Sequence, residues 1–465
     1  MNEQYDIIVV GAGISGIMAA VSAGRLGANV LIVEKYGFPG GMLTAAGVGP
    51  MMTFHAGEKQ VVRGITDELI QRLKAKGKST GHIFDTTLYT YTVTPFDMEG
   101  MKHELELMAL EAGCEFLYHT MLADVNVADN YIKSITVCNK EGLTKLSAKI
   151  YIDATGDADL SFMAKVPCQL GRETDNLTQP MTMNMKMANV DIEKVKEYVR
   201  EHEDEFKKYQ GKLEVLDKGE RLSIGGFTRI LKQAQEDGVI TFEREAVLFF
   251  ETNNKNEVIV NTTRVPRKWS VKAKDLSDAE ILGRKQVREM EVFLKKYMPG
   301  FENSYLVYSG PQIGIRSSRH IRGKYILNEH ELIDCVKFPD VIAHGGYPID
   351  VHTPEGHNRY VDWSKVRRHL KYGQYYSIPY RTLTNVYVYN LITVGRCIST
   401  TFEAQGAIRV TPIVGAIGHA GGCAAGLMIR QGINKATDLD YQLLQKTLIK
   451  QGAYLDLDEG EDRDE

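Results

Sequence analysis

The chain has 465 residues, of which 43% are hydrophobic and 25% are charged, the balance of a soluble globular protein with more than one folding unit. Its formal net charge of -4 gives no electrostatic reason to expect nucleic acid as a partner. Its six cysteines include no C-x-x-C pair, so we expect neither a metal site nor a redox disulfide of that kind. We find no signal peptide and no uninterrupted apolar segment of membrane-spanning length, and we expect a cytoplasmic protein without a membrane partner.

The first elements of the chain predict a parallel sheet. Tyr5–Val10 is a short apolar run rich in β-branched residues, which indicates a buried strand. A glycine-rich turn follows, then small and apolar residues at helical spacing over 14–26, and a second apolar strand over 29–34. The order strand, glycine turn, helix, strand is a βαβ unit, whose two strands lie parallel in one sheet.

The next segments extend this first unit. The patterns predict, in chain order, helices over 64–74 and 98–112, a short strand over 115–118, an antiparallel meander over 122–149 and a buried strand over 148–154. Asp97 is the expected N-cap of the second of these helices.

The middle of the chain differs in character, and its C-terminal part returns to the first pattern. The middle segments are a Met-rich apolar strand within 178–187, a charged helix over 190–219, strands over 240–264 and an amphipathic helix over 277–297. The C-terminal part contains a buried strand over 391–394 and a Gly/Ala-rich helix over 411–430. Thr411 suits the N-cap of that helix and Pro412 its first turn. Residues 456–465 are acidic and are expected to be disordered.

Gly11, Gly13 and Gly16 form a G-x-G-x-x-G motif between the first strand and the first helix. The first glycine permits a tight turn, the second lets the backbone approach a pyrophosphate, and the third lets the helix pack on the strand. The helix start, which includes Ser15, offers N–H groups and a partial positive charge to phosphate oxygens. Glu34 ends the second strand, where an acid accepts both ribose hydroxyls and repels a 2′-phosphate. The motif therefore predicts a dinucleotide site.

This motif alone does not separate NAD from FAD, and three further features favour FAD. They are, in chain order, Gly40-Gly41-Met42, the strand end at 153–157, and Gly395-Arg396 with Arg409. The first two would bring later segments of the chain back to the dinucleotide. The third would add residues from near the C-terminus to the site, which an NAD-binding domain would not need. An NAD-dependent dehydrogenase remains the first alternative.

The motifs, taken in order, resemble the FAD-dependent oxidoreductase family of the glutathione-reductase-type flavoprotein superfamily, which also contains the fumarate reductase and succinate dehydrogenase flavoproteins. The resemblance covers residues 5–430. It rests on GAGISG (11–16), GGMLT (40–44), IDATGDAD (152–159), GIRSSRHIRGKYIL (314–327), YSIPYR (376–381), VGRCISTTFEAQGAIRVTP (394–412) and GAIGHAGGCAAG (415–426). It implies an α/β fold in which a discontinuous, Rossmann-like FAD-binding domain carries an inserted α+β substrate domain.

The resemblance also implies domain boundaries and a cofactor site. Residues 1–164 and 389–435 would form the FAD-binding domain, 165–388 the substrate or cap domain, and 436–465 a C-terminal helix and acidic tail. FAD would be bound by Gly11, Gly13, Ser15, Gly16, Glu34, Lys35, Gly40, Gly41, Met42, Ala154, Thr155, Gly156, Asp157, Gly395, Arg396, Arg409 and Ile413. The helix after Arg409 would lie at the pyrimidine edge of the flavin, where its N-terminus would stabilise negative charge. Its glycines would allow close approach there, or else packing on another helix.

The catalytic candidates are arginines and histidines of the later segments. Hydride transfer to or from a flavin commonly needs a proton donor or acceptor, and we predict Arg316 with His344 or His352 in this role. Arg316 and Arg319 could clamp a carboxylate with forked donors. Further candidates are His55, His320 and Glu403. The chain departs from the family at Ser317, where an acid is common, which leaves open which polar group faces the flavin.

Together these features predict a FAD-dependent oxidoreductase that transfers a hydride between bound flavin and an unidentified small organic molecule, either as a monomer or as a homo-oligomer. Besides the NAD-dependent dehydrogenase, the alternatives are a flavoprotein with an RNA-modification or partner-binding role and a flavin-binding protein without turnover. A covalent flavin link through His55 is a variant of the main prediction.

Overall fold

The structure is a computed structural model that describes residues 5–356 and 370–457, so most of the predicted disordered tail lies outside the described residues. The described strands are β1 (Tyr5–Val10), β2 (Val30–Val33), β3 (His55–Ala56), β4 (Lys59–Gln60), β5 (Ile83–Phe84), β6 (Thr92–Val93), β7 (Glu115–Leu117), β8 (Met121–Ala128), β9 (Tyr131–Asn139), β10 (Gly142–Leu146), β11 (Ala148–Asp153), β12 (Cys168–Leu170), β13 (Met185–Ala188), β14 (Ser223–Gly226), β15 (Val247–Glu251), β16 (Glu257–Val260), β17 (Tyr305–Ser309), β18 (Arg319–Ile321), β19 (Val341–Gly345), β20 (Tyr376–Pro379) and β21 (Leu391–Thr393). The described helices are α1 (Ile14–Arg25), α2 (Ile65–Ala75), α3 (Met98–Glu111), α4 (Asp159–Met163), α5 (Ile192–Glu201), α6 (Thr228–Glu236), α7 (Ala273–Tyr297), α8 (Glu329–Ile333), α9 (Phe402–Ile408), α10 (Thr411–Gln431) and α11 (Tyr441–Lys450).

A five-stranded parallel sheet, in the order β21-β11-β1-β2-β7, forms the centre of the first unit. In its register, Ile7 of β1 lies opposite Val30 of β2 and Ile150 of β11. The strands β1 and β2 are buried on both faces, which explains why their sequences are continuous apolar runs without alternation. The predicted βαβ unit and its parallel sheet are confirmed.

Helices cover one face of this sheet and the meander covers the other. The helices α1, α3 and α10 pack on one face within a large apolar core. On the opposite face, Ile8 and Tyr151 share a second cluster with Ile135 of the three-stranded sheet β10-β9-β8. The predicted meander is confirmed, and so is the cap of α3, since Asp97 accepts a hydrogen bond of 2.6 Å from the Gly100 N–H.

The helices α1 and α10 touch backbone to backbone. A Cβ atom at Gly418 would lie 2.1 Å from the carbonyl oxygen of Ser15, and one at Gly422 would lie 1.9 Å from that of Ala19. Only glycine permits such an approach. These two glycines therefore serve helix packing, the second of the two explanations that the sequence left open for this Gly-rich helix.

A second, antiparallel sheet lies in the middle of the chain, in the order β14-β15-β16-β13-β17. It has an apolar core of its own, which includes Met183, Met185 and Met187 from the β13 segment and Met290 from α7. The strands predicted within 240–264 are confirmed, and so is the amphipathic helix that ends at Tyr297, although α7 begins four residues earlier than expected.

The small sheet of β19 and β20 packs with the first core, although the sequence assigned residues 165–388 to the substrate domain. Ile342 and Ile378 belong to the same apolar core as α10, and the Ile413 side chain of α10 lies against the backbone at Gly345. The chain therefore rejoins the first unit at β19, before it reaches β21. The predicted domain boundary at residue 388 stays a prediction.

Two local predictions are wrong. Residues 190–219 are helical only over α5 before the chain enters short 3-10 turns, because Phe206 and Tyr209 turn into the second core instead of continuing the helix face. Thr411 does not cap α10, because it takes the first helical position itself and the N-cap becomes Val410, whose side chain cannot accept a hydrogen bond. The first N–H groups of α10 are therefore left without a capping side chain.

α10 is also the one helix of the described chain that is long and apolar enough to cross a membrane, a feature that the sequence analysis did not single out. Its most apolar window is 89% buried inside the structure. The apolar surface of α10 is therefore used by contacts with the rest of the chain, as in the core helix of a globular protein.

We expect Gly418→Ala to destabilise the fold, because the added Cβ would overlap the carbonyl oxygen of Ser15. A Gly→Ala change in an unobstructed helix stabilises by up to about 1 kcal/mol. We therefore expect the free energy of unfolding, measured by chemical denaturation, to fall by about 1–3 kcal/mol because of overpacking. Ala416→Gly, at a half-buried position of the same helix, is the control and should cost about 1 kcal/mol. Unchanged stability of Gly418→Ala would contradict the described contact.

Candidate functional site

The loop after β1 is shaped by two glycines that have no room for a side chain. Gly11 has a φ of +101°, and a Cβ atom there would lie 2.6 Å from the carbonyl oxygen of Ala154. A Cβ atom at Gly16 would lie 1.9 Å from the carbonyl oxygen of Gly11. These contacts hold β1, α1 and the end of β11 together, as the first and third glycines of the motif require.

Gly13, the middle glycine of the motif, faces open space instead. A Cβ atom there would meet only the Cα of Gly41, at 3.9 Å. α1 begins at this point with no side chain capping its N–H groups and no acidic residue in its first turn. An uncapped helix N-terminus beside open space is a site for an anion such as a pyrophosphate.

The side chain of Glu34 lies against this loop. Its carboxylate accepts hydrogen bonds from the N–H groups of Ala12, at 2.6 Å, and Tyr36, at 3.0 Å. Burial raises the pKa of Glu34 despite these two bonds. Lys35 next to it is exposed and lies over the Tyr36 ring. Glu34 is thus fixed beside the predicted dinucleotide, and its contact with a ribose stays a prediction.

The segment at 40–42 reaches the same loop from another direction. The N–H of Gly40 donates to the carbonyl oxygen of Ala12 at 2.8 Å, and Gly40 and Gly41 both have positive φ values, of 111° and 56°. A Cβ atom at Gly41 would lie 2.8 Å from the Cα of Gly13. Met42 follows and lines the central cavity described below. The open space beside Gly13 is therefore bounded by two separate segments.

The turn after β11 meets the C-terminal segment. Asp157 forms an ion pair of 2.6 Å with Arg396, and burial, which would raise the pKa of Asp157, is outweighed by this arginine and the Ser318 hydroxyl, so the pKa is lowered. The Arg396 guanidinium also lies against Gly156, which has a φ of +75°. A Cβ atom at Gly395 would lie 3.0 Å from the Ser15 hydroxyl oxygen. Residues from opposite ends of the chain thus enclose one site, with Ala154 and Thr155 at its floor.

A cavity of about 630 Å³, the central cavity, lies between this loop system and the second sheet. Of the predicted site residues it is lined by Met42, Arg396 and Arg409 from the cofactor group and by Arg316 and His352 from the catalytic group. The start of α10, with its uncapped N–H groups, also lines it through Val410 and Thr411.

Asp350 joins three side chains at the wall of this cavity. Its Oδ2 accepts hydrogen bonds from Arg409 Nη2, at 3.1 Å, and from the Tyr347 hydroxyl, at 3.2 Å, and it lies 3.4 Å from Nε2 of His352. Burial would raise the pKa of Asp350, but His352, Arg409 and Arg316 outweigh it, so the carboxyl stays ionised. Burial lowers the pKa of His352 to about 4, against the opposing charge of Asp350. At neutral pH this pair is a carboxylate beside a neutral imidazole.

Arg316 reaches the same cavity from the β17–β18 connection. Its guanidinium donates to the carbonyl oxygen of Pro180 at 2.7 Å, to the Thr182 hydroxyl, and to Asn261 Oδ1 at 3.3 Å. All three partners are neutral, and among the described residues no carboxylate lies within ion-pair distance. Burial lowers the pKa of Arg316 to about 9, with Arg409 acting in the same direction.

His344, by contrast, is not brought to the central cavity. It lies in β19, where Nε2 accepts the Asp456 N–H at 2.9 Å and Nδ1 lies 3.3 Å from both the Tyr376 carbonyl oxygen and the Ser377 hydroxyl. Both ring nitrogens are thus occupied by structural bonds. The structure therefore does not bring His344 together with Arg316 and His352, because the register of β19 directs it toward the C-terminal segment, and the geometry gives its predicted catalytic role no support.

Other sequence candidates also lie outside the residues that line the cavity. Nδ1 of His55 lies 3.0 Å from the Thr92 hydroxyl, so nothing in the geometry favours a covalent flavin link there. Arg319 binds Asp159 and the Asp157 carbonyl oxygen instead of facing the cavity. Ser317, where the family often has an acid, accepts the Gln179 N–H at 2.8 Å. The remaining cases are His320, buried in β18, Glu403, half-buried in α9, and Ile413, whose side chain is core.

Sequence reasoning missed three residues of this wall: Tyr347, Asp350 and Arg244. A signal existed for the first two, because they lie in the YPIDVH segment that contains His352, and an acid two residues before a histidine is a candidate orienting partner. No local signal marks Arg244, which lies in an irregular segment before β15 and reaches the cavity only through the fold.

The described residues fit an FAD molecule. The open space at Gly13 suits a pyrophosphate, and the Nε atoms of Arg396 and Arg409 are buried without any hydrogen-bond partner. Buried polar groups without partners are rare, so two such donors beside one cavity indicate a polar ligand.

Comparison with known proteins decides the family. The sequence model of a family described as FAD dependent oxidoreductase matches residues 6–448. The chain belongs to this family. It is an enzyme, and FAD is its cofactor.

Curated relatives match this oxidoreductase over short segments. Thiamine thiazole synthase of Aeropyrum pernix is 34% identical over 166 residues, which are 33% of this chain and 55% of that protein. Thioredoxin reductase of Ureaplasma parvum is 54% identical over 44 residues, 9% of this chain and 14% of its own. A probable fumarate reductase of Shewanella frigidimarina is 36% identical over 70 residues, 15% and 11% respectively. The chain spans less than two thirds of each of these relatives.

Solved structures match over greater length but at low identity. L-proline dehydrogenase from P. horikoshii is 12% identical with a TM-score of 0.44, covering 97% of this chain and 99% of that one. A geranylgeranyl bacteriochlorophyll reductase-like protein from Thermoplasma acidophilum is 13% identical with a TM-score of 0.44, covering 97% and 84%. Similarity of this degree does not indicate a substrate.

We expect Gly13→Ala to weaken FAD binding without unfolding the apoprotein. The nearest heavy atom to the added Cβ is 3.9 Å away, so the fold tolerates it, but the methyl group occupies the space predicted for the pyrophosphate. A rise of about tenfold or more in the Kd of FAD, measured by fluorescence titration, corresponds to about 1.4 kcal/mol.

Gly16→Ala is the matched control, because its Cβ would overlap the Gly11 carbonyl oxygen and should lower the melting temperature of the apoprotein itself. Full FAD affinity in Gly13→Ala would contradict the assignment of this space to the cofactor.

Proposed function

We propose that this enzyme transfers a hydride between FAD and a small organic molecule bound in the central cavity, with His352 as the proton acceptor. The observation that supports this most directly is the neutral imidazole of His352 beside the ionised Asp350 in the cavity wall. Because a neutral imidazole accepts a proton at physiological pH, the geometry suits oxidation of the substrate better than its reduction.

FAD supplies the two-electron acceptor for this reaction. The substrate loses hydride as one of its C–H bonds breaks, and it loses a proton from the adjacent oxygen or nitrogen. With the imidazole proton on Nε2, directed at Asp350 Oδ2 3.4 Å away, the lone pair of Nδ1 is available for the substrate proton. No group of the described chain hydrogen bonds to that Nδ1. Asp350 then stabilises the imidazolium that forms.

Arg409 and the start of α10 serve the cofactor side in this proposal. The uncapped N–H groups of α10 carry partial positive charge, and Arg409 lies one turn before Pro412 and faces the same cavity. Both stabilise negative charge next to them. Their position supports the predicted role of this helix at the pyrimidine edge of the flavin.

The second sheet supplies the opposite wall, which supports the proposed division into a discontinuous FAD-binding domain and an inserted substrate domain. Arg316, Asn261 and Leu248 all belong to that side of the cavity. A cytoplasmic location, the absence of a nucleic-acid partner and the oligomeric state remain predictions from the sequence.

The proposal is tested first by the absorbance spectrum of the purified protein before and after heat denaturation. We expect flavin bands that are released into the supernatant, because His55, the residue predicted for a covalent link, is not among the described residues that line the cavity. Anaerobic addition of candidate substrates should then bleach these bands. A flavin that no oxidisable small molecule bleaches, while dithionite does, would contradict the proposed activity.

We expect His352→Gln to slow substrate-dependent bleaching by about 10²–10⁴-fold, the usual contribution of a positioned proton acceptor. Its FAD content and its bleaching by dithionite should be unchanged. His344→Gln is the control, because burial also lowers the pKa of that histidine to about 4, yet it lies outside the cavity. Equal effects of both substitutions would show that burial alone is responsible.

The pH dependence follows from the lowered pKa of His352. The neutral, proton-accepting form persists down to a pH of about 4, so the bleaching rate should stay level below neutrality and fall only as the pH drops through about 4. Stopped-flow pH jumps can measure the bleaching rate at low pH before the protein unfolds in acid. This fall in rate at low pH should be absent in His352→Gln. A fall in the wild-type rate near pH 6.5, the ordinary pKa of histidine, would contradict the described burial.

A further inference from the structure

A fourth arginine lines the central cavity beside Arg316, Arg396 and Arg409, and its charge has no counterion among the described residues. Arg244 is half-buried and lines the cavity, and its Nε donates to the Ala246 carbonyl oxygen at 3.2 Å. Among the described residues, no group hydrogen bonds to its two terminal nitrogens and no carboxylate pairs with it. Burial lowers the pKa of Arg244 to about 10, so the guanidinium is still charged at neutral pH.

Arg316, on the connection between β17 and β18, is in the same situation and lines the same cavity. Its three partners are neutral, and Asp350, the acid that raises its pKa, is already paired with Arg409. Both guanidiniums line the same cavity, and Arg244 contributes to the lowered pKa of Arg316. Two half-buried guanidiniums in one cavity, with donors left over, favour an anion that lies between them or near both.

The other charges of the cavity do not fill this role. Arg396 and Arg409 are neutralised by Asp157 and Asp350. Glu205 lines the cavity too, but its carboxylate already accepts bonds from the Thr228 hydroxyl and the Arg229 N–H. Lys207 and Lys208 also line the cavity and add positive charge, so within the described lining the unpaired charge is positive.

The remaining wall is apolar and aromatic. Val48, Leu248, Phe250 and the rings of Tyr89 and Tyr347, which meet edge to face at 5.7 Å, face the same space. An anion that fits beside them carries an apolar body, so an organic acid fits better than an inorganic anion.

We infer that the substrate of this enzyme is a small organic carboxylate, held by Arg244 and Arg316 with its apolar part against the tyrosines. The inference rests on the proposed function, since it names the substrate class of the same cavity. The forked donors of the two arginines fix the carboxylate, and this sets which C–H bond faces the flavin. Arg244 thereby takes the place that the sequence analysis gave to Arg319, which is held by Asp159.

The experiment uses matched pairs of probes on the FAD-loaded enzyme at neutral pH: phenylacetate against phenylacetamide, and hexanoate against hexanamide. Binding is read from perturbation of the flavin absorbance and from calorimetry, neither of which needs turnover. We expect each carboxylate to bind about tenfold or more tightly than its amide, because hydrogen bonds between a guanidinium and a carboxylate are charge-assisted and those to an amide lack the second charge. Equal affinity within both pairs would overturn the inference.

The variants are Arg244→Gln and Arg316→Gln, each of which should lose about tenfold or more in carboxylate affinity and leave amide affinity unchanged. Arg244→Lys should recover part of that loss, because it restores the charge without the fork. Arg288→Gln is the control, since that arginine lies on the exposed face of α7 and pairs with Glu291. Wild-type carboxylate affinity in Arg244→Gln would overturn the inference.

Two further outcomes are decisive. If Arg244→Gln and Arg316→Gln lose FAD while Arg288→Gln keeps it, the two guanidiniums belong to the cofactor and the inference fails. If either variant does not fold, competition in the wild type replaces it: added chloride should weaken carboxylate binding more than amide binding, and equal weakening overturns the inference. Arginine-dependent carboxylate binding without any bleaching by oxidisable compounds would instead leave the inference intact and refute hydride transfer.

Discussion

The direct contact between the backbones of α1 and α10 is the constraint on which the rest of the structure depends. α1 begins at the dinucleotide loop and α10 begins at the central cavity, so their contact at Gly418 and Gly422 fixes both ends of the cofactor site relative to each other. Through it, Arg409, just before α10, and Gly13, just before α1, acquire defined positions relative to each other. Because only glycine allows two helix backbones to approach this closely, the geometry of the site depends on positions without a side chain as well as on packed side chains.

Much of the fold could be predicted from the sequence, because its first unit obeys local rules. Continuous apolar runs gave β1 and β2, turn residues separated the strands of the meander, and Asp97 marked the start of α3. The failures have tertiary causes. The helix ends after α5 because Phe206 and Tyr209 are buried in the second core. This tertiary packing overrides local helix propensity and cannot be predicted from a short stretch of sequence.

The site was predictable in the same uneven way. The family motifs predicted the cofactor residues, but the wall of the central cavity is assembled from segments far apart in the chain. His352 was found together with His344, and only the strand register of β19 separates them, since it turns His344 away from the cavity. Arg244 and Asp350 carry no motif of their own, so their function depends on neighbours that a sequence does not reveal.

The meeting of α1 and α10 also has a consequence for how the protein is made. α1 emerges early in synthesis, almost wholly apolar on its inner face, whereas its partner follows near the end of the chain. At about 5–20 residues per second, the roughly 400 intervening residues take roughly 20–80 s to appear. During that interval the nascent N-terminal unit exposes the surface that α10 will cover and lacks the last strand of its sheet. The two helices can therefore meet, and set the positions of the segments before them, only after α10 has been synthesised.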